Sequence, residues 1–272
     1  MLETGNSPKQ ENAEKYRVSI RFASGGLSFL GHIPHVGDSF FSMDVRFEDG
    51  NLTYAASVAA CFEAHPFFSW EYKSVQILVS SARYVLVPDV LFSEDSMEAS
   101  YASVFKTRGE KIFASHVAEL SAQVVFGLDE DIYNLCEQRW ANCAYTHAVA
   151  CLLRLEQEQC HAKHLPRMYA VGLADSIALS CFVEGKLLYA NSFPATEINN
   201  MLYYILSIWQ KHGLSQLNDL LFVSGVSEGL QKGLLEFIPH VRPIDVPTDA
   251  YLFGSVFLKA PMDVIALHTF KC

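Results

Sequence analysis

The stretch "RMYAVGLADSIALSCFVEGKLLYANSF" (residues 167–193) decides the fold. It reads as a three-strand meander, "RMYAVGLA" (167–174), "IALSCFVEG" (177–185) and "KLLYANSF" (186–193), with the polar pair Asp175-Ser176 between the first two runs. "ATEINNMLYYILSIWQKHG" (195–213) follows as a helix. Thr196 is placed as its N-cap, Ile198, Met201, Leu202, Ile205, Leu206 and Trp209 form one apolar stripe, and Gly213 supplies the stop. Then come a strand, "DLLFVSG" (219–225), a helix capped by Ser227, "SEGLQKGLLEFI" (227–238), and a further strand, "VRPIDVP" (241–247).

Working back, the same order occurs earlier. "YRVSIRF" (16–22), "LSFLGHI" (27–33) and "SFFSMDVRFE" (39–48) are strands, broken by "SGG" (24–26) and "PHVGD". "NLTYAASVAACFEAH" (51–65) reads as a helix with Asn51 as N-cap and Pro66 as its stop, and Leu52, Ala55, Ala59 and Phe62 set its core face. "SVQILVS" (74–80) is a buried strand, with "RYVLVP" (83–88) expected to pair with it. Corresponding helices and strands are offset by about 144 residues, which predicts two tandem copies of one α/β unit. Between the copies lie a helix (93–106), the strands "EKIFASHVA" and "AQVVFGL", and a helix at 129–140 with Asp129 or Leu128 near its cap. A short strand (142–147) and a helix at 147–159, with Thr146 as its cap, complete the segment.

The boundary is placed at the hydrophilic junction "AKHLPR". This gives a flexible polar tail at 1–15, a first domain at 16–163 and a second at 164–272. With 272 residues, half of them hydrophobic, the chain suits two ordinary domains. Its net charge of −10 argues against nucleic acid and anionic membrane surfaces, which need clustered lysine and arginine. No apolar run is long enough to span a bilayer, and the N-terminus lacks the apolar core of a signal peptide. Seven irregularly spaced cysteines fit reduced thiols and a cytoplasmic location.

A doubled meander followed by helix-strand-helix resembles the actin-like ATPase (ribonuclease H-like) fold. The segment 123–155 brings the likeness nearer to the bacterial scaffold branch, the pilus-assembly and secretion-platform proteins related to cell-division actins. The whole chain also looks like a bacterial family of uncharacterised proteins with this fold, through "KLLYANSF" (186–193), "LYYILSIW" (202–209), "LLFVSG" (220–225) and Cys272. The resemblance covers roughly residues 16–272 and implies two tandem actin-like domains, while leaving function open.

It also implies where a nucleotide would sit. Actin-like ATPases hold ATP between their halves, on two glycine-containing hairpins with an acid beside each to manage Mg²⁺ and water, and a third Gly-Gly motif packs on adenosine. In the first hairpin here, Ser24, Gly25 and Gly26 could bring backbone to a phosphate, but no acid accompanies them and Ser19 and Arg21 stand nearby instead. In the second, Asp175 takes the acid's place, while Ser176, Ile177 and Ala178 stand where a glycine is expected. In the adenosine motif Gly225 is present and Val226 replaces its partner. Each stretch has an equally direct reading as a turn or a cap. The cluster Cys160-His161-Ala162-Lys163-His164 lacks the second pair a structural zinc site needs, and Cys143, His147 and Cys151 are divided between strand and helix. His32 and His35 fall at a strand end, and no Gly-x-Ser-x-Gly elbow or P-loop is present. The sequence therefore predicts a non-catalytic scaffold with an unidentified protein partner, no cofactor and no metal. The alternative is a divergent ATP-binding protein, an ATPase or small-molecule kinase, that uses ATP with magnesium in the inter-domain cleft.

Overall fold

A computed structural model of the chain describes residues 2–5, 8–47, 52–107, 109–141, 143–160 and 165–270. Asn51, His161, His164 and Cys272, singled out above, lie outside the described residues.

The first meander is β2 (Arg17–Ala23), β3 (Gly26–His32) and β4 (Phe41–Arg46), followed by α1 (Tyr54–Ala64) and β5 (Ser74–Val79). The second is β10 (Arg167–Gly172), β11 (Ser176–Val183) and β12 (Lys186–Pro194), followed by α5 (Ile198–Lys211), β13 (Leu220–Ser224), α6 (Glu228–Leu235) and β14 (Val241–Pro243). The second sheet runs β12-β11-β10-β13-β14. The first runs β4-β3-β2-β5-β9, with β9 at Ala144–His147 and one extra strand, β1 (Leu2–Gly5), added beside β4. Hairpin pairs are antiparallel, and β5, β9, β13 and β14 join in parallel. The same strand order and the same directions occur twice, as the 144-residue offset predicts.

Three expectations about the chain's course change. The segment read as a tail pairs its residues 2–5 with β4, and a 3₁₀ turn at Gln10–Lys15 buries Ala13. The strand at 83–88 does not pair with β5, because the parallel strand β9 already occupies that edge. Instead β6 (Tyr84–Pro88) joins β7 (Glu110–Val117) and β8 (Ala122–Asp129) in a separate sheet covered by α2 (Met97–Ala102). Finally, the last helix, α7 (Met262–Thr269), expected with the second half, packs on α4 (Ala148–Cys160) and ties itself to the first sheet.

Alternation explains the layers. On β10, Met168 and Ala170 face α5 and α6, while Tyr169 and Val171 face the central core containing α4 and α7. On β11, Ile177, Leu179 and Cys181 face outward, and Ala178 and Phe182 face inward. The helix α4 thus lies between the two halves, touching β7, β8 and β9 on one side and β11 and β12 on the other. Its first turn is satisfied by Nδ1 of His147, which accepts from the Val149 N–H, rather than by Thr146, whose hydroxyl bonds Ser115 in the neighbouring sheet. The helix α5 packs closely on α6 because Gly229 and Gly233 leave room for Ile198 and Leu202. Among the described residues, no helix is long and apolar enough to cross a membrane.

Candidate functional site

The turn between β2 and β3 and the turn between β10 and β11 meet across a cleft of about 420 Å³. Ser24 and Gly25 line it from the first half, and Asp175 lines it from the second. The wall between them is Tyr54, Ser80, Ser81, Leu128 and Asp129. Duplication of the meander is what places the two turns opposite each other, since each copy offers its first hairpin at the same end of its sheet.

The first turn is shaped by backbone needs. Gly25 has a φ of 72°, which side chains resist. Gly26 lies against β4, where a Cβ would stand 2.3 Å from the Val45 carbonyl oxygen. The Tyr54 hydroxyl reaches the carbonyls of both Ala23 and Gly26, at 2.9 and 2.7 Å, and holds the hairpin from inside the cleft. Burial pushes that hydroxyl above the ordinary tyrosine range, so it stays a donor. Ser24 and Gly25 are exposed. Gly26 lines a neighbouring groove of about 600 Å³ that also carries Arg46, Asp44 and Ala174.

Arg21 does not face the cleft. Its Nε donates to Asp263 Oδ2 of α7 at 2.6 Å, and Nη2 donates to the Ser80 hydroxyl at 3.2 Å. Ser19, on the same face of β2, meets the His268 ring at 3.3 Å. The two polar residues noted beside the first hairpin therefore anchor the C-terminal helix.

In the second turn, the Leu173 N–H donates to the Ser176 carbonyl and the Ala195 N–H donates to the Asp175 carbonyl. The Asp175 side chain is half-buried and makes no hydrogen bond or ion pair among the described residues. Ser176 is wholly buried as the first residue of β11 and is not on the cleft. Gly225 is also elsewhere, at the end of β13, where its φ is 63° and a Cβ would stand 2.6 Å from the Gly172 carbonyl oxygen. Its glycine identity follows from this close crossing of two chains.

Asp129 was read only as a helix cap. It does cap α3 (Glu130–Arg139), its Oδ1 accepting from the Asp131 and Ile132 N–H groups at 3.0 and 3.3 Å. It also lines the cleft, because the end of β8 comes beside the end of β5 there. Local sequence carries the cap signal and nothing of that approach. No lysine or arginine lines the cleft among the described residues. No group of three histidine, cysteine or carboxylate side chains is placed to hold a metal ion among them. Among the described residues, none of the cysteines forms a disulfide. Burial pushes the Cys61, Cys160 and Cys181 thiols up to about 11 and Cys143 to about 12, which makes them poor nucleophiles.

Two sheets of one strand order, with paired hairpins facing across a cleft, define a protein of the actin-like ATPase fold. A Bacteroides thetaiotaomicron protein with this fold and unknown function is similar over 97% of this chain and 99% of its own, at a TM-score of 0.82 and 24% identity. A chain of the PilM–PilN type IV pilus biogenesis complex is similar over 92% and 96%, at a TM-score of 0.54 and 13% identity. The cytoplasmic domain of EpsL, an inner membrane component of the Vibrio cholerae type II secretion system, aligns at a TM-score of 0.46 and 9% identity, over 94% and 95%. No curated protein matches the chain. The chain belongs to the family described as "Protein of unknown function (DUF3822)", whose model matches residues 6–240.

Proposed function

We propose that the chain is a non-catalytic actin-like scaffold that acts through a protein partner in the cytoplasm. The observation that carries this reading is the chemistry of the cleft lining. Phosphoryl transfer needs a metal and cations to offset charge at the transferring group. The first hairpin offers Ser24 and Gly25 without a carboxylate, Arg21 is held by Asp263, and the Oδ1 of Asp129 is engaged at the start of α3. Two of the three glycines that a phosphate or a purine would use are crowded by protein backbone, Gly26 by β4 and Gly225 by Gly172, while Gly25 stands open at the turn. These residues do not fit magnesium ATP. Occurrence of a similar fold in a pilus biogenesis complex supports a role in an assembly.

The second reading, a divergent ATP-binding protein, has one observation in its favour: Asp175 shares the cleft with Ser24 and Gly25, and its carboxylate has no hydrogen-bond or ion-pair partner among the described residues. Phosphate release separates the two. Full-length protein given ATP and magnesium should release phosphate no faster than buffer, and Asp175→Ala should behave identically. Steady turnover that Asp175→Ala abolishes would overturn the scaffold reading.

A further inference from the structure

Glu156 lies on α4, in the last turns before the chain crosses to the second half, and is 3% exposed. The Ser180 hydroxyl of β11, itself buried, donates to Glu156 Oε2 at 2.6 Å. Ser180 occupies the inward face of β11, between Ala178 and Phe182, so this bond joins the central helix to the second sheet. Around the same point stands Tyr84 of β6, whose buried hydroxyl senses the Ser192 hydroxyl of β12 without completing a hydrogen bond to it. The inserted sheet, α4 and the second sheet thus meet at one buried polar cluster.

Among the described residues, the titratable groups that interact with Glu156 are uncharged near neutrality. They are Tyr84 on β6, Tyr169 on β10, and Cys160 on α4, with Tyr189 of β12 acting on Tyr84. Arg167 is a cation beside that cluster and interacts with Cys160 and Tyr169. It donates to the Gln159 carbonyl and lies over the Phe222 ring. Among the described residues a carboxylate here would have one side-chain hydrogen bond and no ion pair, an arrangement that strongly favours the neutral acid.

We propose that Glu156 is a proton-operated latch between α4 and the second sheet. As a neutral carboxyl it stays buried and β11 stays packed on α4; as a carboxylate it draws in water and loosens that contact, because the cost of burying the charge outweighs the stronger bond from Ser180. Burial raises its titration to about 8, against the lowering effect of Ser180. The sign follows from linkage. The folded value lies above the unfolded one, so the latch is fully closed at acidic pH and is lost as pH rises through about 8.

Hydrogen exchange of the full chain, corrected for the intrinsic pH dependence of amide chemistry, tests this between pH 7 and pH 9. Amides of α4 and β11 should lose protection about tenfold across that interval, while those of β2 and β3 should not. In Glu156→Gln, which keeps the shape and cannot ionise, the α4 and β11 change should vanish. Ser180→Ala removes the bond that favours the charged form, so its transition should move to higher pH. Wild-type protein with no change in this window, Glu156→Gln retaining the wild-type change, or Ser180→Ala leaving the midpoint in place would each overturn the proposal.

Discussion

Replacing Asp263 with asparagine removes the charge that answers Arg21 inside the first half. The pair is buried, with side-chain exposures of 9% for Arg21 and 1% for Asp263, at 2.6 Å. Ser80 is the other hydrogen-bonding side chain that Arg21 reaches among the described residues, so the guanidinium cannot find a second anion without moving. Breaking such a pair from one side costs about 3–5 kcal/mol. An unfolding entropy of roughly 2.1 cal/mol/K per residue gives about 0.6 kcal/mol/K for the chain, so the melting temperature should fall by about 5–9 °C. Calorimetry on wild type, Asp263→Asn and the double variant Arg21→Met/Asp263→Leu reads this directly. The double variant should recover most of the loss, because two apolar side chains replace the pair without leaving a charge. A single variant within about 2 °C of wild type, or a double variant no better than the single, would show that the buried pair does not hold α7 on the first sheet.

Three further outcomes follow from the geometry. Gly225→Ala should destabilise the second half by roughly 2–4 kcal/mol, since it imposes a side chain at positive φ against the Gly172 carbonyl; urea unfolding checks this. Tyr54→Phe should cost about 1–2 kcal/mol and speed hydrogen exchange in the Ser24–Gly25 turn, as two carbonyls lose their shared donor. His147 is fully buried and its protonation is pushed down to about 3, so its contribution is present above pH 6.5 and is lost as pH falls towards 3. In the Glu156→Gln background, which removes a dependence of opposite sign, denaturant unfolding should show at least about 2 kcal/mol less stability at pH 5 than at pH 7.5, because burial also pushes His32 and His268 down and their losses add with the same sign.

The duplicated core was legible because its signals are local. Strands of β2–β4 and β10–β12 are short runs between turn residues, and α5 carries a full apolar stripe with Gly213 at positive φ after it. What the sequence concealed is long-range. Whether β6 pairs with β5 or β8 depends on β9 arriving from 60 residues further on. The C-terminal segment was unreadable for a different reason: 3₁₀ turns at Thr248–Phe253 and Phe257–Lys259 have no helical period, and Met262–Leu267 is buried throughout, so no polar face marks its partner. At the site, the apposition of Ser24 and Asp175 followed from recognising two copies. The cleft role of Asp129 depended on the inserted sheet, and Gly225 proved to be a chain crossing rather than a cleft residue.

Thermal unfolding of the full chain with and without millimolar ATP and magnesium shows whether the cleft takes a nucleotide. A non-catalytic scaffold gives superimposable transitions for wild type and Asp175→Ala. A ligand at about 100 times its dissociation constant would stabilise by about 2.7 kcal/mol, so a wild-type shift of a few degrees that disappears in Asp175→Ala would contradict the scaffold reading.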